Sequence, residues 1–200
     1  MKKALFELGL AGYAFEKFRA EIFRAQSYEV QTNLYLKGKC IQHEIDVRAE
    51  NEEEVLFVEC KFHNTPGAKT DVKTPLYLNS RFLDLIDEMK PDKPHRSYLV
   101  TNTRFTEDAI QYGTCAGISM ISCDHPVDGN LKDRIYRSGL HPITSISSLP
   151  KRVVDSFLNG GIVLARDLLT RKKVLADMGM SEARIKEVTK EVWALLNHKN

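Results

Sequence analysis

The stretch that most constrains this chain runs from His43 to Phe62, HEIDVRAENEEEVLFVECKF. At a strand's period of two, Ile45, Val47 and Ala49 share one face while Asp46 points to the other. A polar turn centred on Asn51 and Glu52 to Glu54 leads into VLFVECKF. There Val58, Cys60 and Phe62 share a face, and Glu59 and Lys61 look out from the opposite one. The two strands read as a hairpin that brings Asp46, Glu59 and Lys61 to one exposed edge of an otherwise apolar ribbon. An E-x-K spacing alone carries little weight, because many strands have one wet face. Val55 to Val58 is too apolar for an ordinary edge strand, however, so charges embedded at its end stand out. Two carboxylates and a lysine are what metal-assisted hydrolysis of a phosphodiester needs. The acids hold a hard divalent cation, and the lysine positions or helps deprotonate the attacking water.

Asp46 followed by Glu59-Cys60-Lys61 is similar to the D…(D/E)-x-K signature of the restriction-endonuclease-like nucleases, especially their Mrr-like branch. The likeness extends beyond the motif. AGYAFEKFRAEIFRAQSYEV resembles that family's opening helix and its entry to the first strand. GKCIQHEIDV, VECKFHNTPGAKTDVKTPLYLNSRFLDL and YLVTNTRFTEDAIQYGTCAGISMIS look like segments of Mrr-like proteins that often follow an ATP-cone domain. Roughly residues 4–148 are covered, and no ATP-cone lies within this sequence.

The resemblance implies an α/β restriction-endonuclease-like core, a central mixed sheet flanked by helices, and metal-dependent cleavage of DNA. Carried over residue by residue, Asp46, Glu59 and the backbone carbonyl of Cys60 would bind Mg²⁺, with Mn²⁺ a possible substitute. Lys61 would orient the water, and Glu16 would be an accessory acid near the metal. His63, Lys73 and Arg81 could approach phosphates from beside the hairpin, and likeness to a K-x-x-LY-x-x-x-RF-x-D pattern favours the last two. Cutting both strands of a duplex favours a homodimer, or two successive encounters.

Two rival readings come from other classes. One is a non-catalytic nucleic-acid-binding module that keeps the nuclease fold as a scaffold. The other is a zinc-stabilised interaction protein using Cys40-x-x-His43 and Cys60-x-x-His63, a spacing known from zinc sites. Both pairs lie in expected strands, where residues three apart face opposite sides. The four cysteines form no C-x-x-C pair and suit a reduced compartment.

The net charge of +2 argues neither for nor against nucleic acid, so any basic surface must be local. No apolar run approaches the ~20 residues of a membrane span, and the amino terminus lacks a signal peptide's apolar block, so no membrane partner and a cytoplasmic location are expected.

An amphipathic helix is expected from Lys3 to Gln26, with Phe15, Phe18 and Ile22 on one stripe and Glu16 at its margin. Gly9 and Gly12 weaken its first turns, so the regular part begins near Gly12 or Tyr13. A strand over Tyr28 to Leu36 leads to the hairpin. After the loop His63 to Gly67, Pro75 suits the first turn of a helix in which Leu76, Phe82, Leu83 and Ile86 can pack. Beyond Pro91 to Pro94, RSYLVTN reads as a strand. A helix capped by Thr106 and closed by Gly117 follows, then a short strand, ISMIS. This strand–helix–strand unit implies a parallel pair beside the hairpin.

From His141 onward the chain reads as short helices: LPKRVVDSFLNGG, VLARDLLTRKKVLAD and SEARIKEVTKEVWALL. Met178-Gly179-Met180, with Ser181 capping the next helix, resembles the hairpin of a helix-hairpin-helix module. Such a module holds a DNA phosphate on backbone N–H groups, here around Gly179 and Ser181. Residues 151–200 carry ten Lys/Arg against six Asp/Glu, a local excess of four. The stretch Leu149-Pro150-Lys151-Arg152 lacks a glycine hairpin, so at most one good hairpin is expected. The competing reading is a packing or dimerisation appendage. The organisation expected is a nuclease domain over residues 1–143 and a helical domain over 144–200.

Overall fold

The structure, a computed structural model, describes residues 1–9, 14–65, 67–89 and 92–197. By compactness the chain divides into two units, Arg19–Leu131 and a second formed by Met1–Phe18 with Lys132–Asn200. The expected boundary between residues 143 and 144 falls inside the second unit.

The first unit is built on a five-stranded mixed sheet. Strands β1 (Glu29–Lys37), β2 (Gln42–Glu50) and β3 (Val55–Lys61) form an antiparallel meander, and β3 then pairs in parallel with a strand over His95–Thr101, here β5. That strand in turn pairs in parallel with β7 (Ser119–Ile121). Apart from this sheet, β4 (Lys69–Thr70) and β6 (Arg104–Phe105) make a separate two-stranded parallel ribbon that the sequence did not suggest. The central place of β3 explains its run of four buried residues, Val55 to Val58, since a strand flanked on both edges and covered on both faces cannot alternate. The polar turn before it closes where expected. Asn51 Oδ1 accepts the N–H groups of Glu53 at 3.0 Å and Glu54 at 2.9 Å, an Asx turn.

The helix after β4 spans Lys73–Met89 and is the third in the chain, after α1 (Lys2–Gly9) and α2 (Ala14–Arg24). Its packed side differs from the expected one. Leu76 and Leu83 are 42% and 57% exposed, while Leu78 and Leu85 are buried with Ile45, Val55 and Phe57 or with Leu99 and Phe105. The buried stripe of α3 is therefore Pro75, Leu78, Arg81 and Leu85, with Phe82 and Ile86 beside it. Helix α4 (Glu107–Cys115) connects β5 to β7, and the Thr106 hydroxyl accepts the Ala109 N–H at its start, as the sequence implied. Gly117 follows at φ +71°, and its left-handed backbone ends the helix.

In the second unit, a helix the sequence did not announce, α5 (Leu131–Ser138), comes first. It is followed by α6 (Lys151–Asn159), a 3₁₀ segment over Ala165–Thr170, α7 (Lys172–Asp177) and α8 (Glu182–Asn197). The expected helix VLARDLLTRKKVLAD is thus two shorter pieces. The expected start of the first regular helix, Gly12 or Tyr13, lies outside the described residues. Glu191 on α8 organises the entry to α6. Its carboxylate accepts both the backbone N–H and the hydroxyl of Ser147 at 2.7 Å each, and those of Ser148 at 2.9 and 2.5 Å.

Candidate active site

Asp46, Glu59 and Lys61 meet at the carboxyl end of β3, the end of a parallel pair where ligands of open α/β sheets bind. Val47 stands opposite Val58, which sets Asp46 beside the last residues of β3. Asp46 is half-buried, and its Oδ2 accepts the Cys60 N–H at 2.7 Å. This corrects the expectation of an acid free at an exposed strand edge. In this position the aspartate is part of the hairpin's hydrogen bonding, because the ladder between β2 and β3 stops at Val47 and Val58.

Glu59 is more enclosed, with its side chain 20% exposed. Burial pushes its carboxyl above the ordinary range, the Asp46 charge pushes it further, and Arg81 and Arg19 pull it back. Arg81 Nη1 donates to Glu59 Oε2 at 2.6 Å, and the arginine side chain is only 10% exposed. The sequence reading placed Arg81 near DNA phosphates; in the structure it is an internal partner of the candidate metal acid. Lys61 is exposed at the strand's end, opposite Thr101 of β5.

Arg19 is a residue the sequence reading missed. It is 1% exposed, donates from Nη1 to the Val100 carbonyl at 2.9 Å, and its charge reaches Glu59. A signal was available: Arg19 lies on the same helical stripe as Phe15, Phe18 and Ile22, and a cation on such a stripe needs buried acceptors. Glu16, the proposed accessory acid, is half-buried in the first turn of α2 and belongs to the other unit.

Just past β3, His63 is fixed by neighbours that carry no sequence pattern. Its N–H donates to Asn102 Oδ1 and its carbonyl accepts from Asn102 Nδ2, both at 2.9 Å. Its Nε2 lies 2.9 Å from the Thr70 hydroxyl, which donates to Thr101 Oγ1 at 3.2 Å. Burial, and after it the Lys61 charge, lowers the imidazole's pKa. Asn102 thereby extends the pairing of β3 with β5 beyond Lys61, using a side-chain amide where a peptide would otherwise stand. Lys73 is exposed at the start of α3, where its N–H donates to Asp71 Oδ1 at 3.1 Å.

The donor set suits a hard cation. Two carboxylates, one near enough to raise the other's pKa, beside a peptide carbonyl at the strand's end are the donor types that Mg²⁺ takes from a protein when water and phosphate complete its shell. Among the described residues no group of three or more His, Cys, Asp or Glu side chains gathers as a ligand cluster. The zinc alternative loses its ligands to other partners. His43 Nε2 is 2.8 Å from Asp84 Oδ2, the Cys40 thiol is hydrogen-bonded to the same carboxylate, and His63 Nε2 is 2.9 Å from the Thr70 hydroxyl.

In the helical unit Gly179 has φ +81° with its N–H bonded to the Ala176 carbonyl and the Met180 N–H to the Leu175 carbonyl. The same turn recurs after α6. Gly161 has φ +76°, its N–H reaches the Leu158 carbonyl, and the Ile162 N–H reaches the Phe157 carbonyl. Sequence reading counted one such turn; besides Gly161, the turn is also made after α5 by Gly139 at φ +64°, whose N–H reaches the Tyr136 carbonyl while the Leu140 N–H reaches the Ile135 carbonyl. Ser181 is exposed and its hydroxyl accepts the Arg184 N–H at 3.3 Å, capping α8.

Comparison with known proteins adds the following. The restriction endonuclease family model matches residues 8–125, and a family described as AF1548-like, C-terminal, matches residues 141–196. An uncharacterized protein of Archaeoglobus fulgidus is 34% identical over 173 residues, covering 86% of this chain and 96% of the relative. The crystal structure of AF1548, a protein of unknown function, superposes with a TM-score of 0.71 at 30% identity, covering 98% of this chain and 100% of that one. The MspJI restriction endonuclease in complex with a 27-mer oligonucleotide gives a TM-score of 0.39 at 14% identity, over 80% of this chain and 32% of that one, too low to carry an argument.

Proposed function

The chain belongs to the restriction endonuclease family, and from that premise we propose that it is a divalent-metal-dependent DNA endonuclease with its active site at Asp46, Glu59 and Lys61. The observation that carries the reading is the meeting of the two acids at the end of β3. Glu59 is enclosed beside Asp46, and evolution toward mere stability would not place two repelling carboxylates there. Asp46 and Glu59, with the carbonyl of Cys60, are the groups that would hold Mg²⁺ or Mn²⁺, and Glu16 is proposed as an accessory acid. When bound, such an ion supplies Lewis-acid stabilisation of the phosphoryl oxygens and a more acidic water. Lys61 orients the nucleophilic water and offsets charge on the pentavalent transition state. His63 and Lys73 contact phosphates along the DNA, and the backbone around Gly179 and Ser181 holds a further phosphate in the manner of a helix-hairpin-helix. A homodimer would bring two such sites to a duplex. No described helix is long and apolar enough to cross a membrane.

The test is incubation with supercoiled plasmid and Mg²⁺ or Mn²⁺, with chelator as control. Nicked or linear product that disappears with chelator supports the reading. Plasmid left intact under both metals, while the protein still binds it, would favour a non-catalytic DNA-binding module.

A further inference from the structure

Arg81 is carried into the core by the phase of α3. Its neighbours on the helix, Leu78, Phe82 and Leu85, pack inward, and it is itself 8% exposed. Where Arg81 and Glu59 meet the apolar Phe57, Leu78, Phe82 and Leu85 there is a small recess of about 10 Å³. The recess is at the lower limit for one water and its surface is almost wholly apolar, so the guanidinium depends on partners from the protein. Two directions of stabilisation remain. Inward, Arg81 Nη1 donates to Glu59 Oε2 at 2.6 Å. Outward, its Cζ lies 5.3 Å from the centroid of the Tyr77 ring, and Tyr77 is 62% exposed.

We propose that Arg81 is a positioning residue that competes with the divalent cation for Glu59, holding the carboxylate until the cation is taken and then giving it up. The proposal rests on the nuclease reading above. Its logic is electrostatic. An oxygen engaged by a guanidinium at this distance has fewer lone pairs to offer a hard ion, and an arginine beside a divalent cation is a like-charge contact in a poorly solvated place. Without the cation, the same arginine offsets the mutual repulsion of Glu59 and Asp46. Tyr77 lies against the same guanidinium while it is bonded to Glu59, so the arginine keeps a contact on its solvent side when the carboxylate is taken by the cation.

The experiment is calorimetric titration of the full chain with Mn²⁺ at pH 8, without DNA, for wild type, Arg81→Gln and Arg81→Lys, alongside circular dichroism and thermal melts. Removing a charge-assisted competitor should tighten Mn²⁺ binding by about tenfold or more in Arg81→Gln, whereas Arg81→Lys, which keeps a cation near Glu59, should stay close to wild type. Arg81→Met, apolar and of similar length among Leu78, Phe82 and Leu85, replaces the glutamine variant should that one misfold. Unchanged or weaker Mn²⁺ binding in a folded neutral variant overturns the proposal and leaves Arg81 a structural residue. Mn²⁺ binding and plasmid nicking by the wild type, with no gain in the neutral variants, sinks the competition alone. Absence of both in every variant sinks the nuclease reading with it.

Discussion

Asp46 anchors a backbone hydrogen bond and is a proposed metal ligand, and two substitutions separate these roles. Asp46→Ala removes a proposed metal ligand and also the acceptor of the Cys60 N–H at 2.7 Å. A hydrogen bond to a charged group is worth about 1.5–3 kcal/mol net, and the donor it leaves behind sits in a half-buried strand. Part of that loss is returned, since Asp46 repels the Glu59 carboxylate and burial already disfavours the charge on Glu59. The balance is a destabilisation of about 1–2 kcal/mol, seen as a drop of several degrees in melting temperature for a unit of this size. Asp46→Asn keeps an oxygen that can accept the same N–H but surrenders the charge, so its stability should stay within about 0.5 kcal/mol of wild type. Both variants should lose metal-dependent nicking by more than about 100-fold, because even the groups that only orient metal ligands contribute 10- to 100-fold. The assays are urea unfolding followed by tryptophan-independent circular dichroism, and plasmid nicking at saturating Mg²⁺. If Asp46→Ala unfolds at the wild-type midpoint, the hydrogen bond to Cys60 is not part of the fold. If Asp46→Asn cuts at the wild-type rate, the metal site is elsewhere.

Lys61→Ala should lower the cleavage rate by orders of magnitude with little change in DNA affinity, as for a contact made mainly in the transition state; an equal loss in affinity, measured by fluorescence anisotropy, would make it a phosphate-binding residue. Glu191→Ala should cost about 1–2 kcal/mol, because it removes the acceptor of the Ser147 and Ser148 hydrogen bonds in the turn before α6. Burial pushes the Glu191 carboxyl up, but the hydrogen bonds from Ser148 and Ser147 outweigh it and hold the carboxyl below its usual range. Its contribution is therefore present above the ordinary carboxylate pKa and lost as pH falls through the lower folded value, so the melting gap between wild type and Glu191→Gln should close in acid. A gap that widens in acid would contradict this. Gly179→Val places a β-branched residue at φ +81°, which strains the turn. If that turn holds a phosphate, DNA affinity falls and its salt dependence becomes shallower, whereas an unchanged salt slope assigns the turn to packing or assembly.

What was legible in the sequence is what local periodicity and chemistry encode. The hairpin from His43 to Phe62, the Thr106 cap and the parallel β5–α4–β7 unit follow from alternation, turn residues and the handedness of crossovers, and the structure has them all. The phase of α3 was not legible, because Leu76, Leu78, Leu83 and Leu85 offer two apolar stripes, and only packing against Phe57 and Leu99 selects between them. That choice decides the chemistry around Glu59. With Leu78 and Leu85 inward, Arg81 must follow them into the core, and a residue that the sequence would place on DNA becomes the counter-ion of Glu59. The same reasoning applies to Arg19 on α2. Each arginine is costly to bury unless an acceptor waits for it, and the acceptors, Glu59 and the Val100 carbonyl, lie on strands distant in sequence. A buried cation on an apolar helical stripe is therefore a readable demand for an anionic or carbonyl partner, even where the partner cannot be read. Here both demands converge on the electrostatics of one glutamate, whose enclosure would be untenable without them.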